Sequence, residues 1–226
     1  MAVWSQDVVN EQSTNRGQEP RDETRERLLD AAERLFCQKG FEATSIRDLT
    51  ALAGCNIAAV NYHFGDKKRL YAEMFRRQVR GMVAQDFRAM EEVMAGPSPC
   101  LEDLLRRVIS PPLKAAFRNE PPATAVQLMV REVLNQHVDM EAMTMDLREL
   151  YLPRMSEVLR RLVPGLDRAH SELAAFSLDA MTMHPLLFMP FYMAWIKGLD
   201  LDALIEYTVR FTACAIRAMA KGNPEG

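Results

Sequence analysis

Apolar residues recur along the chain at the 3.6-residue period of an amphipathic helix, and no stretch alternates as a strand does. Leu28, Leu29, Ala31, Ala32, Leu35 and Phe36 form one stripe. They predict a helix over 22–39, closed by Gly40 as a residue free to take positive φ. A short helix over 46–53 follows. Ser45 and Asp48 open it at the spacing of a capping box, in which the hydroxyl accepts from a free amide and the carboxylate reaches back. Gly54 interrupts, Asn56 caps a third helix over 57–64, and Gly65 stops it. Leu49, Leu52, Ile57, Val60 and Phe64 are the expected core of this group, and Tyr62 is expected at its surface. Asp66 caps a fourth helix with apolar residues from Leu70 to Met94, ended by Gly96-Pro97-Ser98-Pro99. At a rise of 1.5 Å per residue it is roughly 42 Å long, enough to join two modules.

Punctuation divides the rest into further helices. One over 101–117 is expected to break at Pro111-Pro112, and another runs from Pro121-Pro122 to about residue 135. A third spans 141–162 with a kink at Pro153. A fourth covers 169–183 and is followed by an apolar segment to Trp195, and a last helix covers 201–220. The fold class is therefore all-α. Residues 1–20 are polar and aperiodic and read as a flexible arm. Residues 21–66 form a three-helix head, and the long helix leads into a helical body over 67–226.

Composition narrows the function classes. The chain has 226 residues, 48% hydrophobic and 26% charged, ample for a packed core. A net charge of −3 excludes a uniformly basic coat. Charge is uneven, however: residues 21–80 hold 12 Lys/Arg against 9 Asp/Glu, and the acidic excess lies elsewhere. The longest apolar stretch, 185–196, carries two prolines and is too short to span a membrane, and no leader pattern opens the chain. A cytoplasmic location with reduced thiols is the expectation. Cys37, Cys55, Cys100 and Cys214 form no zinc-type spacing, so no metal and no cofactor are expected. P-loop, GxGxxG, GxSxG and HExxH patterns are absent, which disfavours an enzyme.

Short helix, glycine turn and short helix over 44–67 make a helix-turn-helix pattern, whose second helix enters the DNA major groove. Ala58, Ala59, Asn61, Tyr62 and His63 give that helix a small, polar face. Asn pairs bidentately with adenine, and Ala meets a thymine methyl. Residues 24–71, with "LLDAAERLFCQKGFEATSIRDL", "AGCN" and "YHFGDKKRLY", resemble the N-terminal domain of TetR-family transcriptional regulators, and "AAVNYHFGDK" resembles its CecR-like branch. The resemblance implies a homodimer on a DNA operator, released by a small-molecule effector. By position it implies phosphate contacts for Thr44, Ser45, Tyr62, His63 and Lys67, and a base-reading or groove-edge role for Arg47, Ala58, Ala59 and Asn61. Asn61 departs from the tyrosine common in the family.

The body is Met-rich, with ten of 15 methionines beyond position 100, which suits either an adaptable pocket or an irregular core. Candidate apolar pocket residues are Phe117, Met129, Met155, Phe176, Met183, Phe188 and Trp195, with Arg131, Glu132, His137 and His184 as polar orienters. Wide apolar faces over 169–183 (Leu173, Phe176, Ala180) and 201–220 (Leu201, Leu204, Ile205, Phe211, Ala215) suggest a four-helix dimer interface. Three rivals stand beside this reading: a regulator switched by oxidation of Cys55, an architectural DNA binder, and an enzyme.

Overall fold

The structure is a computed structural model. It describes residues 19–118, 132, 147–198 and 200–220. Eight α-helices occur among them: α1 Glu19–Lys39, α2 Ile46–Ala53, α3 Ile57–His63, α4 Lys67–Ala95, α5 Leu101–Phe117, α6 Leu152–Leu162, α7 Arg168–Trp195 and α8 Leu201–Ala220. One π-helical turn, Leu147–Tyr151, precedes α6, and no strand occurs among the described residues. The fold is all-α, as the periodicity predicts.

The chain divides into two compact units, Met1–Met74 and Phe75–Gly226. The division falls inside α4, so this helix gives its first two turns to the first unit. The boundary expected at 66/67 marks the start of that helix.

The first unit packs α1, α2, α3 and the start of α4 around Leu28, Ala32, Phe36, Leu49, Val60, Leu70 and Met74, all fully buried. Burying such a side chain stabilises by about 1.5–3 kcal/mol. Phe36, Phe41 and Tyr71 form an aromatic cluster with centroids 4.9–5.9 Å apart. Two expected core residues depart from this pattern. Leu52 is 45% exposed and Ile57 48%, because the short helices turn only Leu49, Thr50, Ala53 and Val60 inward.

The second unit is pinned by ion pairs between antiparallel helices. Arg106 grips Glu206 with two bonds of 2.7 and 3.0 Å, and Arg217 grips Glu102 in the same forked way. As the α5 number rises the α8 number falls, which fixes the antiparallel sense. Between α6 and α7 the hydroxyls of Ser156 and Ser171 lie 2.7 Å apart and buried. Leu104, Leu105, Ile109, Met155, Leu159, Ala175, Val209 and Ile216 form the core around them.

Proline punctuation misleads here. α5 runs unbroken through Pro111 and Pro112, and α7 through Pro185 and Pro190. Each proline forfeits a helical hydrogen bond. Burial offsets that loss: Leu104, Leu105, Val108, Ile109 and Leu113 keep one apolar stripe across the α5 pair, and Leu178 and Leu186 flank Pro185 in the interior. Pro153 lies at the start of α6, directly after the π-helical turn Leu147–Tyr151, whose last residue is itself helical, so the irregularity expected near this proline takes the form of a π turn. The helix expected after Pro121-Pro122 and the first part of that expected over 141–162 lie outside the described residues.

Candidate nucleic-acid interface

α2 and α3 are built from local signals. Ser45 Oγ accepts from the Asp48 amide at 3.1 Å, and Asp48 Oδ2 accepts from the Ser45 amide at 3.1 Å, which completes the capping box. Gly54 ends α2 at φ 64°, a left-handed geometry that a Cβ disfavours. Asn56 Oδ1 then accepts from the Ala59 amide at 3.0 Å and starts α3. Val60 and Phe64 turn inward. Ile57, Ala58, Asn61 and Tyr62 therefore share the outward face at positions i, i+1, i+4 and i+5. Ala59 and His63 are half-buried at its flank, and the Tyr62 and His63 rings meet edge-on at 4.9 Å.

The residues assigned by resemblance divide into groups. Arg47, Ala58, Asn61 and Tyr62 are exposed, with Tyr62 at 63%. Ser45 is exposed too. Its oxygen accepts from the Asp48 amide and its hydroxyl hydrogen-bonds to the Asp48 carboxylate, so it is committed to the cap. Lys67 is half-buried, with its ammonium over the Phe41 ring. Thr44 differs: it is 1% exposed and its hydroxyl faces the Leu35 and Gly40 carbonyls at 3.3 and 2.8 Å. That hydroxyl ties the α1–α2 loop inward and has no route to a phosphate in this conformation.

At the start of α2 the Asp48 amide, and at the start of α4 the Arg69 amide, is already capped by a side chain. Hydrogen bonds from the Ser45 amide and hydroxyl hold the Asp48 carboxyl below its usual value, so a carboxylate already sits at the α2 start. Asp66 Oδ1 likewise accepts from the Arg69 amide at 2.7 Å. Exposed Arg47 and half-buried Lys67 place cationic side chains in the first turns of these helices.

Two braces of this face were not legible in the sequence. Arg25 donates to Glu73 Oε2 at 3.2 Å, and its guanidinium lies 5.3 Å from the centroid of Phe64, the residue that ends α3. Phe41 underlies Lys67. Both join residues more than 20 positions apart, and no local spacing announces them.

In the second unit a groove of about 520 Å³ lies between α7 and α8, lined mainly by Met181, His184, Pro185, Tyr192, Ile196, Leu204, Tyr207 and Phe211. His184 Nδ1 and the Tyr192 hydroxyl are 3.0 Å apart. Of the candidate effector residues only His184 lines this groove. Met155 is fully buried core. Phe117, at the end of α5, is 47% exposed, and Phe176, Phe188 and Trp195, on α7, are 67%, 44% and 76% exposed. Met129, Arg131 and His137 lie outside the described residues. Glu132 is 1% exposed. Among the described residues no His/Cys/Asp/Glu cluster suited to a metal occurs, and no helix is long and apolar enough to cross a membrane. Burial pushes the Cys55 thiol up, which lowers the thiolate fraction that oxidation needs.

The first unit has the helix-turn-helix architecture, and the outward face of α3 is exposed. Residues 28–74 match the family described as bacterial regulatory proteins, tetR family. The chain is 30% identical over 87 residues to the HTH-type transcriptional regulator AcrR of Shigella flexneri, covering 38% of this chain and 40% of that one. It is 28% identical over 146 residues to the HTH-type transcriptional regulator TtgR of Pseudomonas putida, covering 64% and 63%. The matches thus span less than two thirds of these relatives. Among solved structures, SCO4454, a TetR-family transcriptional regulator from Streptomyces coelicolor, aligns with a TM-score of 0.60 at 21% identity over 88% of this chain and 97% of that one. The fatty acid degradation regulator FadR from Bacillus halodurans aligns at 0.61 and 16% identity, over 86% and 96%. Residues 28–74 thus match the tetR family, and the chain shares its fold with these solved structures.

Proposed function

We propose that this protein is a sequence-specific DNA-binding transcriptional regulator of the TetR type. In this reading it is a cytoplasmic homodimer that represses from a partly palindromic operator until a small molecule releases it. The observation that carries the reading is the outward face of α3, where Ala58, Asn61 and Tyr62 stand clear of the core beside exposed Arg47 and Ser45. Asn61 supplies a bidentate amide for a base edge, and the Arg47 cation supplies a backbone contact. The CecR-like assignment rests on "AAVNYHFGDK" alone.

Exposed Leu173, Phe176, Tyr207 and Phe211 support the dimer, since a monomer rarely leaves such a surface wet. Leu204 and Ile205 drop out of that face, because they are 7% and 2% exposed within their own unit. A twofold dimer sets two reading helices about one DNA turn apart, roughly 34–36 Å. Release requires an effector that binds the DNA-competent and DNA-free forms unequally. The groove beside His184 and Tyr192 is the candidate site for it, and α4 is the one helix that both units share.

Selection from random-sequence duplexes tests the reading. One partly palindromic site should emerge, bound at least tenfold more tightly than unselected DNA. Asn61→Ala should remove most of that preference while retaining weak general binding. Equal affinity for selected and unselected duplexes at low salt would refute sequence-specific regulation and leave the architectural rival. A screen of apolar compounds for release of the bound duplex then tests the effector.

A further inference from the structure

We propose that Ile57 is a specificity-determining residue, and that its side chain reads the 5-methyl group of a thymine. The proposal rests on the DNA-binding reading above and extends it to a residue whose pattern marks it as core. The structure leaves Ile57 48% exposed at the first position of α3, so its apolar surface contributes little to the head. It shares the outward face with Asn61, one turn later, and with adjacent Ala58. Residues at the start of a recognition helix are those that meet base edges. The one apolar group that a base pair offers in the major groove is the thymine methyl. A β-branched side chain on a helix is held near one rotamer, so little freedom is lost when it docks. Leu52 is exposed to a similar degree but belongs to α2, the helix that braces across the DNA backbone, where no base methyl is presented. The expected half-site therefore places a thymine within one or two base pairs of the base read by Asn61.

The test uses the full-length protein and the duplex recovered from random-sequence DNA. Each thymine is replaced in turn by deoxyuridine, symmetrically in both half-sites, which deletes the methyl and keeps every base-pairing atom. At one thymine the wild-type protein should lose about fourfold in affinity per half-site, the worth of roughly one buried methyl group. Ile57→Ala should be insensitive to uracil at that thymine and unchanged in its response at the others. Ile57→Val, which keeps a branched side chain, should retain an intermediate response and carries the test if the alanine variant binds too weakly. Unchanged thermal melting of both variants would separate reading from folding. If no thymine shows a smaller uracil effect in Ile57→Ala or in Ile57→Val than in the wild type, the proposal is overturned while sequence-specific binding stands. If no duplex is preferred over random DNA, the DNA-binding reading falls and this proposal with it.

Discussion

The Lys67 ammonium stands 4.2 Å from the centroid of the Phe41 ring, and that ring packs against Phe36 and Tyr71. A flexible cation at the start of α4 is thereby tethered to the buried aromatic cluster of the head. A lysine held this way loses less entropy when it meets a phosphate than one that swings free. A cation over a ring at a partly exposed site gains about 0.5–1 kcal/mol.

This relationship separates two variants. Lys67→Ala should lower DNA affinity and flatten the plot of log K against log salt by about 0.9 per subunit, since one counterion-releasing contact is lost. Phe41→Leu keeps the charge but removes its platform. It should weaken binding about two- to fivefold, matching the cation–π energy, and leave the salt slope near the wild-type value. Fluorescence anisotropy from low to moderate salt reads both. A wild-type slope for Lys67→Ala would mean that Lys67 does not touch the phosphate backbone.

The head was largely legible in the sequence because its signals are local. Ser45 with Asp48, Asn56 and Gly54 each act on neighbours within four residues, and α2 has its expected bounds, Ile46–Ala53. What stayed hidden was non-local or directional. Apolar type alone placed Ile57 and Leu52 in the core, whereas helices of seven and eight residues have room for only a few inward positions. Arg25 reaches Glu73 across 48 positions, which no window detects. In the body, the prolines at 111, 112 and 185 suggested breaks, and burial of the surrounding leucines and valines overrode that local preference. The candidate pocket residues scattered because methionine and aromatic content marks an apolar interior without saying which residues converge. Only His184 reaches the groove.

The capping box should make the head acid-sensitive in a defined direction. The Ser45 amide and hydroxyl hold the Asp48 carboxyl below the usual aspartate range, so its pKa is lower folded than unfolded. Its stabilising contribution is complete above the unfolded pKa and is lost as pH falls through the depressed folded value. Asp48→Asn should therefore melt earlier than wild type at neutral pH, and the gap between the two should shrink as pH falls below the unfolded-state pKa near 3.9 toward the lower folded one. Ser45→Ala removes the cap acceptor and should cost about 1 kcal/mol at neutral pH. A gap between wild type and Asp48→Asn that persists undiminished at pH 2.5 would show that the carboxylate is not the stabilising partner.

The buried hydroxyl pair between α6 and α7 predicts unequal costs for two similar mutations. Ser171 Oγ donates to the Arg168 carbonyl at 2.8 Å, so in the pair it accepts and Ser156 donates. Ser156→Ala removes the donor and leaves Ser171 satisfied, so it should cost under about 1 kcal/mol. Ser171→Ala strands the Ser156 hydroxyl in the interior and should cost about 1–3 kcal/mol. The double variant should be no worse than Ser171→Ala, since the stranded group is gone. Urea unfolding of the three proteins decides the matter, and equal costs for the single variants would reverse the assigned donor direction.

Finally, the exposed aromatic face of the body predicts an oligomer that a single charge can split. Phe176 is 67% exposed on α7. On α8, Tyr207 and Phe211 are 66% and 53% exposed, with rings stacked at 6.0 Å. A buried unpaired carboxylate at the centre of an apolar interface costs about 2 kcal/mol or more, enough to raise a dimer dissociation constant at least about thirtyfold. Phe176→Glu and Phe211→Glu should therefore shift the protein to monomer in light scattering at micromolar concentration. Because both side chains are already wet in a single chain, the helical content of the variants should match that of the wild type. Loss of the dimer should also cost operator affinity far more than affinity for a single half-site, since only the dimer engages both halves at once. A wild-type protein that is monomeric at high concentration, or variants that stay dimeric, would remove this face from the interface and with it the twofold symmetry expected of the operator.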